Sequence, residues 1–217
     1  MEMSEFEDYN EKVAIQKNVL LKVLTAPKQA FTFIHTYKYD KYVRVLLILT
    51  GISRAFDRAS QSSSGDSSSL LTIVITSVFL GGLFGWIFYY IYGSLISWTG
   101  GWLKGKAVTD DIIRVIAYAT LPIALSLLML IPQITIYGVE VFKDEGDTNS
   151  GGILSNVVFY GSAICEVVLS LWSFILTIIG VSVVQNFSIG KAFLNVLLPI
   201  LIFAAAIFIL IIAFSTT

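Results

Sequence analysis

The sequence predicts an all-α integral membrane protein with five transmembrane helices, a cytoplasmic N-terminus and an external C-terminus. Its 217 residues are 56% hydrophobic and 13% charged, with a mean hydropathy of +0.80, whereas a soluble domain carries about 25% charged residues. A soluble protein of this composition would expose large apolar patches, which a bilayer covers. The apolar runs then give the number of spans, and the placement of lysine and arginine gives their direction.

Five apolar runs are candidate spans, since a helix that crosses a membrane needs about 20 mainly apolar residues. The fourth run is the hardest to delimit, because residues 153–184 are too many for one straight crossing and contain Glu166. We therefore expect residues 167–184 to cross, Glu166 to lie near the outer surface, and residues 153–165 to form an extension or an interfacial helix. The predicted spans are 43–56, 70–97, 115–137, 167–184 and 192–214.

Basic residues are distributed unequally between the segments that these spans separate. With the N-terminus inside, the inner segments hold eleven lysines and arginines and the outer segments hold three, and such an excess marks the cytoplasmic side. Residues 1–42 then form a cytoplasmic segment and residues 43–217 the membrane domain. Two polar stretches, 61–69 and 144–152, are expected to be flexible linkers. The inner set is Lys12, Lys17, Lys22, Lys28, Lys38, Lys41, Arg44, Lys104, Lys106, Arg114 and Lys191; the outer set is Arg54, Arg58 and Lys143.

A short amphipathic helix is expected inside the cytoplasmic segment. Pro27 stands where a helix would start, and the apolar residues Ala30, Phe33, Ile34 and Tyr37 follow it at helical spacing. An apolar face of this kind suits the surface of the inner leaflet, and it equally suits packing against the inner side of the helix bundle. The sequence leaves both arrangements open.

No set of catalytic residues is evident. His35 is the single histidine and Cys165 the single cysteine, so neither a pair of histidine ligands nor a CxxC motif can form. We interpret His35 as a polar residue at the membrane interface, with a metal ligand or general base as the alternative. We predict a non-enzymatic protein without cofactor or metal. Nucleic-acid binding is not expected, because no basic run is dense enough.

Two groups of charged residues lie at the predicted span ends, where charge close to lipid is costly and usually retained for a reason. In the outer group we expect Glu166 to be the partner of the arginines. Each group forms either an ion-paired collar that fixes the helix ends, which we favour, or part of a path for a solute or proton. The outer group is Arg54, Asp57, Arg58 and Glu166, and the inner group is Lys106, Asp110, Asp111 and Arg114.

Gly81 and Gly85 form a GxxxG pair in the second predicted span. Such a pair lets a second helix approach closely. We expect it to face another helix within the same bundle; a dimer seam and a thin wall around a pathway are the alternatives.

Four segments occur in the order of a known family: TAPK at 25–28 with Phe31, GGLFGW at 81–86, GK at 105–106 leading to AYATLP at 117–122, and VSVVQNFS at 181–188 with Lys191. Together they resemble the Yip family, five-span membrane proteins named for interacting with Ypt/Rab GTPases. The resemblance covers about residues 20–200. The short N-terminal segment is similar to prokaryotic-type members, for which Rab binding is not an expected role.

The expected function is that of a non-enzymatic membrane protein that organises the bilayer or binds a partner at its cytoplasmic face. The lipid bilayer is the first partner; a protein or a second copy of the chain are the others left open. The expected location is the cell membrane, or the endomembrane system if the source is eukaryotic. A small transporter or channel that uses the outer charged group is the alternative, favoured by Pro122 and Pro132 and disfavoured by the lack of inverted repeats. An intramembrane enzyme ranks third.

Overall fold

A computed structural model describes residue 13 and residues 15–148 and 152–215. Lys12 of the charge count and residues 149–151 of the second polar stretch lie outside this part of the chain. Within it, all regular structure is helical. The helices are α1 Val19–Thr25, α2 Pro27–Thr36, α3 Val43–Gln61, α4 Leu70–Trp102, α5 Thr109–Ala119, α6 Leu121–Tyr137, α7 Gly152–Gln185 and α8 Ile189–Ser215, with short 3-10 helices at Ser64–Asp66 and Gly138–Phe142.

Four helical stretches of the described chain are long and apolar enough to cross a membrane: Leu70–Trp102, Thr109–Phe142, Gly152–Gln185 and Ile189–Phe214. They contain the second to fifth predicted spans. Helix α3, which contains the first, is long enough but is not apolar enough, because four of its 19 residues are charged. The helical class is therefore confirmed, and four of the predicted spans have the composition of a crossing.

Helix α7 is unbroken from Gly152 to Gln185. Residues 153–165 are thus an extension of the same helix rather than a separate one, and Glu166 lies within it. At about 1.5 Å per residue the helix is longer than the hydrocarbon core of about 30 Å, so it must tilt or protrude. Between α5 and α6 the helix is interrupted at Thr120, where Pro122 in the first turn of α6 crowds the preceding turn and has no N–H to donate.

The chain forms two compact units. As far as these ranges are described, the first unit comprises Met1–Asp40, Tyr90–Ile116 and Leu176–Thr217, and the second comprises Lys41–Tyr89 and Ala117–Ile175.

Helix α5 lies in the core of the first unit, where Ile113 and Val115 are buried. Two glycines on neighbouring helices make room for it. A Cβ at Gly93 of α4 would lie 2.5 Å from Ile113 Cδ1, and a Cβ at Gly180 of α7 would lie 2.4 Å from Val115 Cγ1. Both distances are far below a normal van der Waals contact, so glycine is required for this close packing.

Helix α2 begins at Pro27, as the sequence predicts, and Ala30, Phe33 and Ile34 of its predicted apolar face are buried, whereas Tyr37 follows the helix and is 48% exposed. Ala30, Phe31 and Ile34 are covered by protein, and the ring of Phe31 reaches to 3.2 Å from the position of a Cβ at Gly180. Of the two arrangements left open by the sequence, the structure has the helix packed against the protein.

In the second unit, the backbones of α3 and α4 are in direct contact. A Cβ at Gly51 would lie 2.4 Å from the carbonyl oxygen of Gly81, and a Cβ at Gly85 would lie 2.4 Å from Gly51 Cα. Gly82, by contrast, has no atom nearer than 3.7 Å to its would-be Cβ. The GxxxG pair thus faces a helix of the same chain, and its partner is a third glycine in α3.

The polar stretch 61–69 is folded rather than free. It contains the 3-10 helix Ser64–Asp66, and Gly65 is buried, with a would-be Cβ only 2.9 Å from the carbonyl oxygen of Phe142. The expectation of a flexible linker is therefore wrong here. Phe142 packs in the core of this unit, and Gly65 lets the backbone of the stretch approach the Phe142 carbonyl group.

Candidate functional site

An ionic network in the first unit centres on Arg114 of α5. Its Nε donates a hydrogen bond to Asp40 Oδ1 at 2.7 Å, and its Nη1 donates one to Asp111 Oδ1 at 3.0 Å. The side chains of Arg114 and Asp111 are only 12% and 11% exposed. The planar guanidinium can serve two carboxylates at once, and here it ties the segment that follows α2 to the start of α5.

His35 lies beside this network as a fourth group. Its Nδ1 lies 3.3 Å from Asp111 Oδ1, in a geometry that makes no hydrogen bond. His35 is therefore a neighbour of a carboxylate within the first unit. In the described part of the chain, no three His, Cys, Asp or Glu residues are grouped so as to hold a metal ion.

The predicted inner group is split by the structure. Asp111 and Arg114 are brought together, whereas Lys106 and Asp110 are exposed and form no ion pair with any described residue. The partner that the sequence did not indicate is Asp40, which lies 74 residues before Arg114. No local spacing connects two residues so far apart.

A second cluster consists of buried amide side chains, and sequence reasoning missed it. Gln185 and Asn195 are at most 1% exposed. Gln185 Oε1 accepts a hydrogen bond from the backbone N–H of Ala107 at 3.0 Å. Asn195 Nδ2 donates to the carbonyl oxygen of Ile96 at 3.0 Å and to Thr99 Oγ1 at 2.9 Å. These bonds join the ends of α4 and α7, the start of α8 and the loop at 103–108.

Two glycines make space for the amide of Gln185. A Cβ at Gly100 would lie 2.2 Å from Gln185 Nε2, and a Cβ at Gly105 would lie 2.1 Å from Gln185 Oε1. Within the described residues, Gln185 Nε2 and Asn195 Oδ1 have no hydrogen-bond partner. An unpaired buried polar group costs about 1–3 kcal/mol, so this cluster is polar beyond what helix packing alone requires.

Three described helices, α2, α4 and α7, end within the first unit, and they end in the same way. Each is followed by one residue in the left-handed conformation: Lys38 (φ 46°), Lys104 (φ 61°) and Asn186 (φ 56°). The next residue then donates its N–H to the carbonyl five positions earlier, which is the Schellman pattern. Glycine is usual at this position and asparagine tolerates it. A lysine there is conformationally unfavourable, although its charge suits the negative end of a helix.

The predicted outer group lies in the second unit and is organised differently from the expectation. Arg54 Nη1 pairs with Asp57 Oδ2 at 3.2 Å, whereas Arg58 is exposed and has no ion pair among the described residues. Glu166 accepts a hydrogen bond from Gln133 Nε2 at 3.1 Å, and no described arginine lies within ion-pairing distance of it. The expected Glu166–arginine pair is therefore wrong. The physical reason is that Asp57, one turn away, satisfies Arg54, and an amide on α6 supplies a donor to Glu166.

Hydroxyl groups connect α3 to the helices that follow in the second unit. Thr50 Oγ1 donates to Thr120 Oγ1 at 3.1 Å, and the hydroxyls of Ser53 and Ser126 are 3.1 Å apart. Contacts of this kind let apolar helices recognise one another where lipid offers no hydrogen-bond partner.

Long apolar helices, small residues at their crossings and polar contacts at their ends define this molecule as a multi-pass integral membrane protein. A family model described as the Yip1 domain matches residues 21–211. The chain belongs to the Yip family, a family of non-enzymatic membrane proteins. None of the curated proteins and none of the solved structures gives a match.

Proposed function

We propose that the protein crosses the cell membrane five times and acts by binding a lipid or protein partner at its cytoplasmic face, without catalysing a reaction. The observation that carries this proposal is the set of ionic and amide contacts in the first unit. They join residues 35–40, 99–114 and 185–195, whose charged residues the charge count assigns to the cytoplasmic side. A surface assembled in this way is held in place before a partner arrives, which lowers the cost of binding. In a eukaryotic source the membrane would be an endomembrane.

The five-span count is supported by the way α3 follows the third predicted span. At about 1.5 Å per residue, the 19 residues of α3 extend for nearly the thickness of the hydrocarbon core. Its contacts with the stretch Thr109–Phe142 run in register, so the two helices have the same direction. In chain order the contacts are Thr50–Thr120, Ser53–Ser126 and Ser60–Val141.

Reporter fusions test this topology. A reporter that is active only in the cytoplasm should work at the N-terminus and fail at the C-terminus, and a reporter that is active only outside should do the reverse. If both termini report from the same side, the five-span arrangement is excluded.

Site-specific photo-crosslinking tests the binding role. A crosslinking amino acid is placed at the exposed positions Lys28 and Lys106 of the first unit and, as a control, at the exposed position Arg58 of the second. We expect discrete adducts from Lys28 and Lys106 in intact cells and none from Arg58. Adducts at Arg58 alone, or at none of the three positions, would contradict a partner at the cytoplasmic face.

A small transporter or channel is the second candidate, and one observation favours it. Hydroxyl, amide and carboxylate groups follow one another in the second unit, from Thr50 and Thr120 through Ser53 and Ser126 to Gln133 and Glu166. A row of polar groups inside membrane helices is the usual lining of a proton or solute path. The flux measurement that decides between the two candidates is argued at the end of the Discussion.

A further inference from the structure

We propose that the loop at 103–108, together with Phe187 and Lys191, forms a binding site for the phosphate group of an anionic phospholipid in the cytoplasmic leaflet. We call this the basic loop site, and its cations are Lys104, Lys106 and Lys191. The inference rests on the proposed function, because it names the class of partner that the cytoplasmic face would bind.

The structure brings the three lysines together although they come from two connections of the chain. A Cβ at Gly105 would lie 2.8 Å from Phe187 Cζ, so the loop lies directly against this ring. Lys191 Nζ lies 4.5 Å from the centroid of the same ring. Since Gly105 separates Lys104 from Lys106, the backbone of these two lysines and the ammonium group of Lys191 lie around one phenylalanine.

Gln185 fixes the loop in this position. Its amide oxygen accepts the N–H of Ala107, and the side chain is buried between the would-be Cβ positions of Gly100 and Gly105. The loop therefore does not need to be ordered by the lipid, and its lysines are already grouped in the free protein.

The cations of the basic loop site are available to an external anion. Lys104 and Lys106 are exposed, Lys191 is half-buried, and none of them forms an ion pair with a described residue. Of the two acids that follow the loop, Asp111 is already paired with Arg114, and Asp110 is exposed without pairing with any of these lysines. Lysine binds phosphate as a compact point charge, so three unpaired lysines around one ring match a phosphate monoanion or dianion.

The adjoining helix ends attract an anion at one helix and repel it at two others, and the attraction is the stronger effect. Helix α8 begins at Ile189, two residues after Phe187, so its free N–H groups and the positive end of its dipole lie beside the site. The negative ends of α4 and α7 are also near. However, their last carbonyls accept the Schellman bonds of Lys104, Gly105 and Phe187, which leaves fewer carbonyl groups to repel a phosphate.

Two exposed tryptophans favour a lipid over a soluble phosphate or a protein as the source of the anion. Trp98 and Trp102 are 56% and 55% exposed and stack edge to face at 4.6 Å between ring centroids. They occupy the last turn of α4, immediately before the loop. Exposed tryptophans at the end of a span lie at the headgroup level of the bilayer, which places the basic loop site at the depth of the lipid phosphates.

Quenching of tryptophan fluorescence by brominated lipid tests the proposal on the full chain in vesicles. Brominated phosphatidylglycerol is titrated into phosphatidylcholine, with brominated phosphatidylcholine as the neutral comparison. The test variant carries Lys104→Gly, Lys106→Gln and Lys191→Gln. The control variant carries Lys38→Gly, Lys17→Gln and Lys28→Gln, which removes the same charge from the first unit and makes the same glycine substitution at a left-handed helix end.

We expect the wild type and the control variant to reach half-maximal quenching at the same fraction of anionic lipid. The test variant should need at least about tenfold more, since each lysine near an anionic surface contributes about fivefold to binding. Equal shifts in both variants would show a non-specific effect of charge, and no shift in either would show that the site does not bind the lipid. Either result overturns the proposal.

Two further measurements complete the test. Millimolar inorganic phosphate should leave the quenching unchanged; full competition would assign the site to free phosphate and overturn the lipid proposal. Lys106→Gln alone leaves both Schellman ends intact and should partly raise the fraction of anionic lipid needed for half-maximal quenching. This single variant therefore tests the site even if the triple variant does not fold. The proposed function is tested separately, because a protein adduct at Lys106 in cells would support it even if anionic lipid had no effect.

Discussion

The two units of the molecule bring helices together by different chemistry. In the first unit the bridging groups are mainly charged and amide side chains, such as Arg114, Gln185 and Asn195. In the second unit they are the backbone of Gly51 against Gly81 and Gly85, pairs of hydroxyls, and the amide–carboxylate bond between Gln133 and Glu166. Lipid tails are as apolar as leucine, so helix association in a membrane depends on close packing and hydrogen bonds. In the second unit the backbones of two helices touch directly. In the first unit, side chains form hydrogen bonds between segments that are far apart in the sequence.

This difference has a consequence for function. The polar groups that hold the first unit lie next to loops whose own lysines are exposed, so a partner can reach them without separating helices. The polar groups of the second unit lie mainly between helices, where Ser53 and Thr50 are buried. A binding role fits the first unit and a scaffold role fits the second. The following predictions test whether the two units differ as proposed.

The largest effect is expected at the glycine crossing of the second unit. Replacing both Gly81 and Gly85 with leucine should prevent folding or remove most of the stability. Overpacking a site costs about 1–3 kcal/mol even where side chains can move, and here the atoms in the way are backbone atoms of Gly51. The measurement is the thermal unfolding profile and the oligomeric state of the purified protein in detergent.

Gly82→Leu is the matched control for this crossing. It lies between the two glycines, and its would-be Cβ has only ordinary contacts with side chains of Ile48 and Ile52. We expect a nearly unchanged melting profile. If Gly82→Leu were as damaging as the double replacement, the effect would reflect the loss of any glycine in α4, and backbone contact would not be the basis of the second unit.

The next largest effect is expected for the ionic network of the first unit. Arg114→Met removes the cation that serves Asp111, whose side chain is almost fully buried. Stranding a buried charge in this way costs about 3–5 kcal/mol. Adding Asp111→Asn to the same variant should recover part of the loss, because it removes the stranded charge. Arg58→Met, at an exposed position without an ion pair, should change stability by about 0–1 kcal/mol; similar losses for Arg58 and Arg114 would remove the contrast between paired and unpaired arginines.

Much of the fold could be predicted from the sequence, because membrane helices leave a strong composition signal. Four of the predicted spans fall inside helices that have the length and composition of a crossing, and Pro27 marks the start of α2. Helix ends were predicted less well: α4 continues five residues beyond the predicted end at Ser97. Glycines in that last turn are compatible with either a helix or a loop. This turn is contacted by Asn195, almost a hundred residues away, which bonds to Ile96 and Thr99.

The candidate sites were only partly predictable, since pairing depends on contacts that sequence spacing does not contain. Arg114 and Asp111 are three residues apart on a helix and could be paired from sequence, as could Arg54 and Asp57. Asp40 and Gln133, the other partners, lie in separate segments. Gln185 could be noticed in the sequence only weakly. It is a polar residue at the end of the fourth predicted span, shortly before the fifth begins. Its importance depends on Gly100 and Gly105, which the sequence alone does not place beside it.

A moderate effect is expected for the amide cluster. Asn195→Ala removes two hydrogen bonds and leaves the carbonyl of Ile96 without this donor, which should cost about 1–3 kcal/mol. The control is Asn18→Ala, at an exposed residue before α1 that makes no side-chain capping bond. Thermal unfolding of both variants provides the comparison. Equal melting temperatures would show that the amide cluster does not hold the first unit together.

The smallest effect on stability is expected for Glu166→Gln, and this variant also separates the two candidate functions. In the structure Glu166 is bonded to an amide, Gln133, and has no arginine partner among the described residues. Glutamine has the same size and can still accept a hydrogen bond from Gln133, so the expected loss is about 0–1 kcal/mol. A loss of about 3 kcal/mol or more would mean that Glu166 is paired with a cation after all, as in the collar.

The same purified variant is then compared with the wild type for proton and solute flux in proteoliposomes. If the protein works by binding at its cytoplasmic face, neither should conduct above empty liposomes, because the polar row of the second unit serves only to pack its helices. If the wild type conducts and Glu166→Gln changes the flux while stability is unchanged, the carboxylate lies on a path and the transporter is the correct function. Stability and flux therefore answer different questions on one protein, and the contrast between a binding unit and a packing unit holds only if both remain nearly unchanged.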